Sequence, residues 1–109
     1  MISTTVKKYF PISEDYHLKA QVFDSSRSIT ANIAEGFGRF HYQENIQFCG
    51  QSRGSLDETL EQMVTAYDEK YITNEILKEI NRDYKECMKQ INGYIKYLKT
   101  TKSETRNNQ

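Results

Sequence analysis

Apolar side chains recur at helical spacing in three long segments of the chain. Within each segment the apolar positions lie three or four residues apart, which places them on one face of an α-helix. One proline and five glycines leave few forced breaks between long elements. The pattern predicts an all-α fold: an antiparallel up-down helix bundle of three long helices, preceded by a short N-terminal helical segment.

The predicted long helices run from about Glu14 to Phe37, from about Tyr42 to Tyr67 and from about Asn74 to Lys99. The first stripe consists of Leu18, Val22, Ser25 or Ser26, Ile29, Ile33 and Phe37. The second consists of Tyr42, Ile46, Cys49, Leu56, Leu60, Met63 and Tyr67. The third consists of Leu77, Ile80, Tyr84, Cys87, Ile91, Ile95 and Leu98. We interpret residues 1–109 as one domain, with a short N-terminal segment at 1–12 and a polar, frayed tail at 100–109.

Local signals predict where these helices begin and end. Ser13 and Thr73 are expected as N-caps, because their hydroxyls accept from free backbone N–H groups in the first turn. Pro11 prevents an earlier helix from continuing. Gly36 and Gly38 predict a left-handed C-terminal cap for the first long helix.

Four small residues interrupt the second long helix, namely Gly50, Ser52, Gly54 and Ser55. Glycine inside a helix costs about 1 kcal/mol relative to alanine. We therefore expect this stretch to pack closely against a neighbour or to form a contact site.

Charge and cysteine content narrow the function classes. The chain carries 15 basic and 15 acidic residues, so it lacks the overall basic excess of strong non-specific nucleic-acid binders. Any such binding needs a local patch. Met1-Ile2-Ser3 is not followed by an apolar signal segment, and no stretch approaches the length of a membrane span. We expect a cytoplasmic protein whose two cysteines are reduced.

One block carries a resemblance to a known family. Residues 28–39, Ser-Ile-Thr-Ala-Asn-Ile-Ala-Glu-Gly-Phe-Gly-Arg, resemble the signature of the bacterial 23S rRNA intervening-sequence proteins. Phe48 and Ser55-Leu56-Asp57-Glu58 are similar to a second family block, and Phe10-Pro11, Leu18 and Gln21 to its upstream pattern. The similarity covers roughly residues 9 to 98.

The resemblance implies a four-helix bundle that assembles into a ring, typically a pentamer, with no enzymatic activity. Related bundles are accessory proteins of diversity-generating retroelements, which bind nucleic acid and a reverse transcriptase. This chain departs from the pattern in several ways. Only about nine residues precede the Phe-Pro pair, and Phe23-Asp24 stand where the family often has a basic pair. A shortened first helix predicts an exposed apolar groove that takes a partner helix or a second copy.

The candidate site residues are Asn32, Glu35 and Glu58, which are the polar residues of the matched blocks, together with Arg53. Asn32 and Glu35 share a helix face, and Arg53 and Glu58 lie on the helix that should pack against it. They form either a binding site or, as we favour, a buried hydrogen-bonded network that fixes helix register or a subunit contact.

The third long helix has a basic face. Lys85, Lys89, Asn92, Lys96 and Lys99 recur at helical spacing, and Lys102 and Arg106 continue the basic character. An ordinary solvated lysine face is one interpretation. The other is a sequence-tolerant phosphate-binding surface, since the chain has no base-reading motif.

Catalytic and metal chemistry find little support in the sequence. Glu14-x-x-His17 matches half of a carboxylate-bridged di-metal site, but the second Glu-x-x-His motif is missing. Cys49 and Cys87 fall on apolar stripes without a histidine beside them to activate a thiolate, so we expect structural thiols. We predict no enzyme activity, no cofactor, no metal and no small-molecule substrate. The favoured function is a homo-oligomeric assembly or adaptor protein that binds a macromolecular partner. The alternative is a sequence-tolerant RNA- or DNA-binding accessory protein using the basic face of the last helix.

Overall fold

A computed structural model describes residues 2–9, 16–39 and 41–107, and the regular structure in these ranges is α-helical. Helix α1 spans Ile2–Tyr9, α2 spans Tyr16–Phe37, α3 spans Tyr42–Asp68 and α4 spans Asn74–Asn107. The prediction of three long helices after a short one is therefore confirmed.

The helix ends agree with the sequence in part. Thr73 caps α4 as predicted, because its Oγ1 accepts from the backbone N–H of Ile76 at 3.3 Å. The predicted end of α4 at Lys99 is wrong, since the helix continues to Asn107. Residues Pro11, Ser13 and Glu14 lie outside the described residues.

The expected glycine cap of α2 is also wrong. None of the described glycines has a positive φ, and Gly36 lies within the helix. The left-handed residue is Lys70, with a φ of 65°, at the end of α3. There Tyr71 N–H donates to the Ala66 carbonyl and Lys70 N–H to the Tyr67 carbonyl, each at 2.9 Å. These two bonds form a Schellman motif in which lysine occupies the position usually held by glycine.

Helix α3 is the centre of the bundle. It packs against α2 on one side and α4 on the other, while α2 and α4 barely touch each other. One core cluster, with α1 packed on it, is formed by Val6, Leu18, Val22, Met63, Ala66, Ile72 and Ile80. A second cluster, where α2, α3 and α4 meet, is formed by Cys49, Leu56, Ile91, Ile95 and Leu98. The apolar face predicted for α4 is thus largely confirmed, with Ile80, Ile91, Ile95 and Leu98 buried.

The buried face of α3 differs from its predicted stripe. Its members are separated alternately by four and three residues: Asn45, Cys49, Ser52, Leu56, Thr59, Met63 and Ala66, with Gln62 beside them. Tyr42 and Tyr67, which the sequence placed on the stripe, are exposed. The hydroxyl and amide positions were missed because apolar periodicity counts such side chains as surface residues.

A polar seam joins α3 to α2 at these positions. Ser25 Oγ donates to Gln62 Oε1 at 2.8 Å, and Thr59 Oγ1 donates to Ser25 Oγ at 2.8 Å. Ser52 Oγ donates to the Ile29 carbonyl at 2.7 Å. Hydroxyls paired in this way leave no polar group unsatisfied while letting the two backbones approach closely.

The small residues of α3 divide into two groups. Ser52 and Ser55 face α2, and Ser55 Oγ donates to Ser28 Oγ at 2.9 Å. A Cβ at Gly54 would meet no atom within 4 Å, and one at Gly50 only the Arg53 guanidinium at 4.0 Å. The close approach predicted for this stretch therefore holds for the serines and is wrong for the glycines.

Candidate functional site

An apolar groove runs between α2 and α4 on the side of the bundle opposite α3. Its first part has a volume of about 400 Å³, and Ile29, Leu56, Ile80 and Cys87 are among its walls. Its second part, of about 660 Å³, is lined by Ile29, Thr30, Ile33, Ala34, Phe37, Cys87, Gln90, Ile91 and Tyr94. Among the described residues, no charged side chain lines this second part, whereas Arg27 and Asp83 line the first part. The second part of the groove therefore offers an apolar floor with a neutral rim.

In the described structure, α1 covers only one end of the groove. Helix α1 has 8 residues and α2 has 22, so α1 covers α2 for only about a third of its length. Val6 packs near Leu18 and Val22, whereas Ile2 reaches the wall formed by Ile29 and Cys87. Helix α1 therefore runs antiparallel to α2, and the groove continues beyond its N-terminal end.

The mouth of the groove carries exposed aromatic side chains. Phe37 is 74% exposed and Tyr97 is 61% exposed. The ring of Tyr97 stacks on that of Tyr94, with centroids 6.2 Å apart. Exposed aromatic groups around an apolar groove are typical of surfaces that bind other macromolecules.

The corner between α2 and α3 explains the sequence block around Gly36. A Cβ at Gly36 would lie 2.7 Å from Asn45 Oδ1 and 2.8 Å from Phe48 Cβ, so only glycine permits this approach. Arg39 donates to Glu35 Oε1 at 2.6 Å and lies 3.7 Å from Glu44 Oε2. Its guanidinium also lies 5.1 Å from the centre of the Phe48 ring. These contacts stabilise the corner between α2 and α3.

The family described as 23S rRNA-intervening sequence protein has a model that matches residues 2–93 of the chain. The chain belongs to this family. No curated protein matches the chain. The match covers most of the chain, and it includes both the hairpin corner and the walls of the groove.

In this member of the 23S rRNA-intervening sequence proteins, two of the four candidate polar residues lie at the ends of the polar seam. Asn32 Nδ2 donates to the carbonyl and the hydroxyl of Ser28, at 2.8 and 2.9 Å. At the other end, Gln62 Nε2 donates to Glu58 Oε1 at 3.3 Å. Between them the bonds pass through Ser28, Ser55, Thr59, Ser25 and Gln62.

The other two candidates lie apart from this seam. Glu35 pairs with Arg39 in the exposed hairpin corner. Arg53 is exposed, and its Nη1 donates to Asn92 Oδ1 at 3.0 Å on the opposite side of α3. The structure therefore does not bring Asn32, Glu35, Arg53 and Glu58 together into one buried network or one pocket. The buried polar residues that sequence reasoning missed are Ser25, Asn45, Ser52, Thr59 and Gln62.

The lysines of α4 form an exposed basic face that Arg53 extends onto α3. Lys85, Lys89, Lys96 and Lys99 are all exposed. Because Asn92 lies between them in the helix and accepts from Arg53, this face borders α3 rather than the groove. The side chains of Lys102 and Arg106 lie outside the described part of the structure.

The two cysteines are free and sit in different surroundings. Cys49 is fully buried in the second core cluster, whereas Cys87 is partly exposed on the groove wall. Desolvation raises the pKa of both thiols, which keeps them protonated near neutral pH. Neither environment resembles that of a nucleophilic thiolate.

Within the described residues, no group of three or more His, Cys, Asp or Glu side chains lies close enough to hold a metal ion. Glu14 and the side chain of His17 lie outside those residues, so the half-motif they form stays untested. The described helices include no segment both long and apolar enough to span a bilayer.

Proposed function

We propose that this protein is a non-enzymatic, homo-oligomeric helical-bundle adaptor that binds a macromolecular partner. The observation that supports this proposal is the open groove between α2 and α4, with Phe37 exposed at its mouth. A stable bundle normally covers such a surface, because leaving apolar area in water costs roughly 25 cal/mol per Å². The pentameric subunit count implied by the family stays a prediction.

The occupant that fits the groove is an amphipathic helix of a protein partner. The groove is a channel between two parallel helices, and the chain already seats its own helix α1 at one end of it. Helix α1 inserts Ile2 and Val6, four residues apart, which is the spacing of helix-in-groove recognition. The neutral rim formed by Thr30, Gln90 and Tyr94 fits a helix with uncharged flanks.

A thiol-labelling experiment tests the groove. Cys87 lines it and Cys49 is buried, so the second thiol is an internal control. The probe is a synthetic amphipathic helical peptide with leucines at i, i+4 and i+7. At a concentration tenfold above its dissociation constant, the peptide should slow labelling of Cys87 by about tenfold and leave that of Cys49 unchanged.

A matched pair of variants makes the test specific. Phe37→Lys places a charge at the groove mouth and should abolish the protection of Cys87. Val64→Lys places the same charge on an exposed apolar position of α3, away from the groove, and should preserve the protection. Equal protection of Cys87 in the two variants would contradict the proposed site.

A second candidate function is sequence-tolerant binding of RNA or DNA by the basic face of α4. It is favoured by the exposure of Lys85, Lys89, Lys96 and Lys99 together with Arg53. Replacing these four lysines by Glu should abolish binding of a single-stranded RNA, and wild-type affinity should fall steeply with salt. Lys19→Glu with Lys70→Glu, off this face, is the control. Unchanged affinity in the fourfold variant excludes this role.

A further inference from the structure

The exposed back of α4 carries two oppositely charged stripes at the same height. One, the basic stripe, consists of Lys78, Arg82, Lys85 and Lys89, and the other, the acidic stripe, of Glu79, Asp83 and Glu86. All seven side chains are exposed. At 3.6 residues per turn the two stripes lie roughly 100° apart around the helix.

The surroundings of α4 place each stripe on its own side of the bundle. Asp83 lines the groove, so the acidic stripe faces the side of α2. The basic stripe lies on the side of Asn92, which accepts from Arg53 of α3. The stripes are therefore separate surfaces of one molecule, each with a single sign of charge.

This sorting of charge places like charges next to each other along each stripe. Glu79 and Asp83 are one turn apart, as are Lys85 and Lys89, whereas Arg82 and Glu86 attract each other across the two stripes. Like charges at i and i+4 destabilise a helix by about 0.2–0.5 kcal/mol per pair. A neighbouring surface of opposite charge would offset this repulsion between like charges, because each stripe would then face charges of the opposite sign.

We propose that the basic stripe of one copy packs against the acidic stripe of a second copy, with the two α4 helices side by side, parallel and in register. The inference rests on the homo-oligomeric assembly proposed above and names its contact surfaces. The stripes match in height, with Lys78, Arg82 and Lys85 opposite Glu79, Asp83 and Glu86. Parallel helices in register are related by a rotation axis, and a heterologous contact of this kind gives a ring when the rotation closes.

Charge sets the pairing and an aromatic side chain adds apolar area. Exposed ion pairs contribute only about 0–1 kcal/mol each, so they select the partner and its orientation more than they supply affinity. Tyr97 is 61% exposed and lies on the same side of α4 as the acidic stripe, about three turns beyond Glu86. Gly93 lies between the two sides, and a Cβ there would meet nothing within 4 Å, which leaves room for close approach of a neighbouring helix.

The test is the mass in solution, measured by light scattering, of charge-reversed full-length chains. Lys78→Glu with Lys85→Glu and Lys89→Glu makes both surfaces acidic, and Glu79→Lys with Asp83→Lys and Glu86→Lys makes both basic. Each variant should fall to the mass of one chain, 12.8 kDa. A mixture of the two should contain complexes heavier than one chain, and a single chain that carries all six reversals should regain the wild-type mass. Circular dichroism establishes that each variant folds.

A zero-length carbodiimide cross-link provides a second readout. In a mixture of isotopically light and heavy wild-type chains, it should join Lys85 of one isotope to Glu86 or Asp83 of the other. If the wild-type chain is oligomeric and both charge-reversed variants keep its mass, this interface is overturned, while the proposed assembly stands. A wild-type monomer overturns the homo-oligomeric assembly itself. If the variant with reversed lysines keeps its oligomeric mass but loses RNA binding, the basic stripe binds phosphate groups. That result also overturns the pairing.

Discussion

Gly36 shows how one residue determines the α2–α3 corner. Its missing side chain lets Asn45 and Phe48 approach to within what would be 2.7 and 2.8 Å of a Cβ. We expect Gly36→Ala to lower the free energy of unfolding by about 1–3 kcal/mol, because backbone or side chains must shift to admit the methyl group.

The matched control is Gly54→Ala. A Cβ at Gly54 meets no atom within 4 Å, so this variant should gain up to about 1 kcal/mol from helix propensity. Urea denaturation of the two variants measures both changes in the free energy of unfolding, which should have opposite signs. An unaltered or raised midpoint for Gly36→Ala would show that the corner relaxes without cost.

A second prediction at the residue scale concerns the polar seam. Thr59→Val keeps the shape of the side chain but removes the hydroxyl that donates to Ser25 Oγ at 2.8 Å. Because Thr59 and Ser25 are buried, we expect a loss of about 1–3 kcal/mol in unfolding free energy. Thr65→Val, at an exposed position of the same helix, is the control. A double-mutant cycle with Ser25→Ala should show coupling, and strict additivity would argue against the bond.

At the scale of helices, sequence periodicity was most successful where apolar side chains form the buried face. The stripe of α4 was predicted from spacing alone, and its buried members include Ile80, Ile91, Ile95 and Leu98. The face of α3 towards α2 is built from Asn45, Ser52 and Thr59, whose burial depends on hydrogen-bond partners in another helix. No rule confined to one segment identifies such partners.

The candidate site was predictable to a similar extent. A shortened first helix implied an apolar groove, and Ile29, Ile33 and Phe37 from the predicted stripe of α2 indeed line it. The sequence groups Asn32, Glu35 and Glu58 because they belong to the matched blocks. It adds Arg53 because this residue lies on the same predicted helix as Glu58. Their positions depend on which side of each helix meets a neighbour, and Arg53 turned out to face α4.

The C-terminal part of α4 leads to a third prediction. Asn45 Nδ2 donates to Tyr94 Oη at 3.1 Å, so the antiparallel pairing brings Leu98 near the start of α3. The backbone of α4 that follows Thr101 therefore continues beyond the start of α3. Deleting residues 102–109 should change the unfolding free energy by less than about 1 kcal/mol, since a helix end beyond its neighbouring helix contributes little. A loss of several kcal/mol in thermal unfolding would show that this segment packs on the domain.

For the whole molecule, the determining feature is the unequal cover of its two core clusters. Helices α2, α3 and α4 contribute to both clusters, whereas α1 packs only on the first. Around the first cluster α1 completes the bundle with Val6 and Ile2. Around the second, the side of Ile33 and Ile91 towards the groove has no helix against it in the described structure. The molecule therefore has a closed half and an open half along its 59 Å length.

This asymmetry gives a prediction that needs no partner protein. A helical extension fused before Met1, with leucines placed to continue the register of Ile2 and Val6, should enter the open half of the groove. Each buried leucine contributes about 1.5–3 kcal/mol, opposed by about 1–2 kcal/mol for every backbone residue that is ordered. Since an extension with strong helix propensity orders part of its backbone beforehand, we expect a net gain of about 1–2 kcal/mol, or roughly 4–16 °C in Tm. The same extension with serine in place of leucine should give no gain. Equal Tm values for the two fusions would mean that the groove does not accept a helix in line with α1.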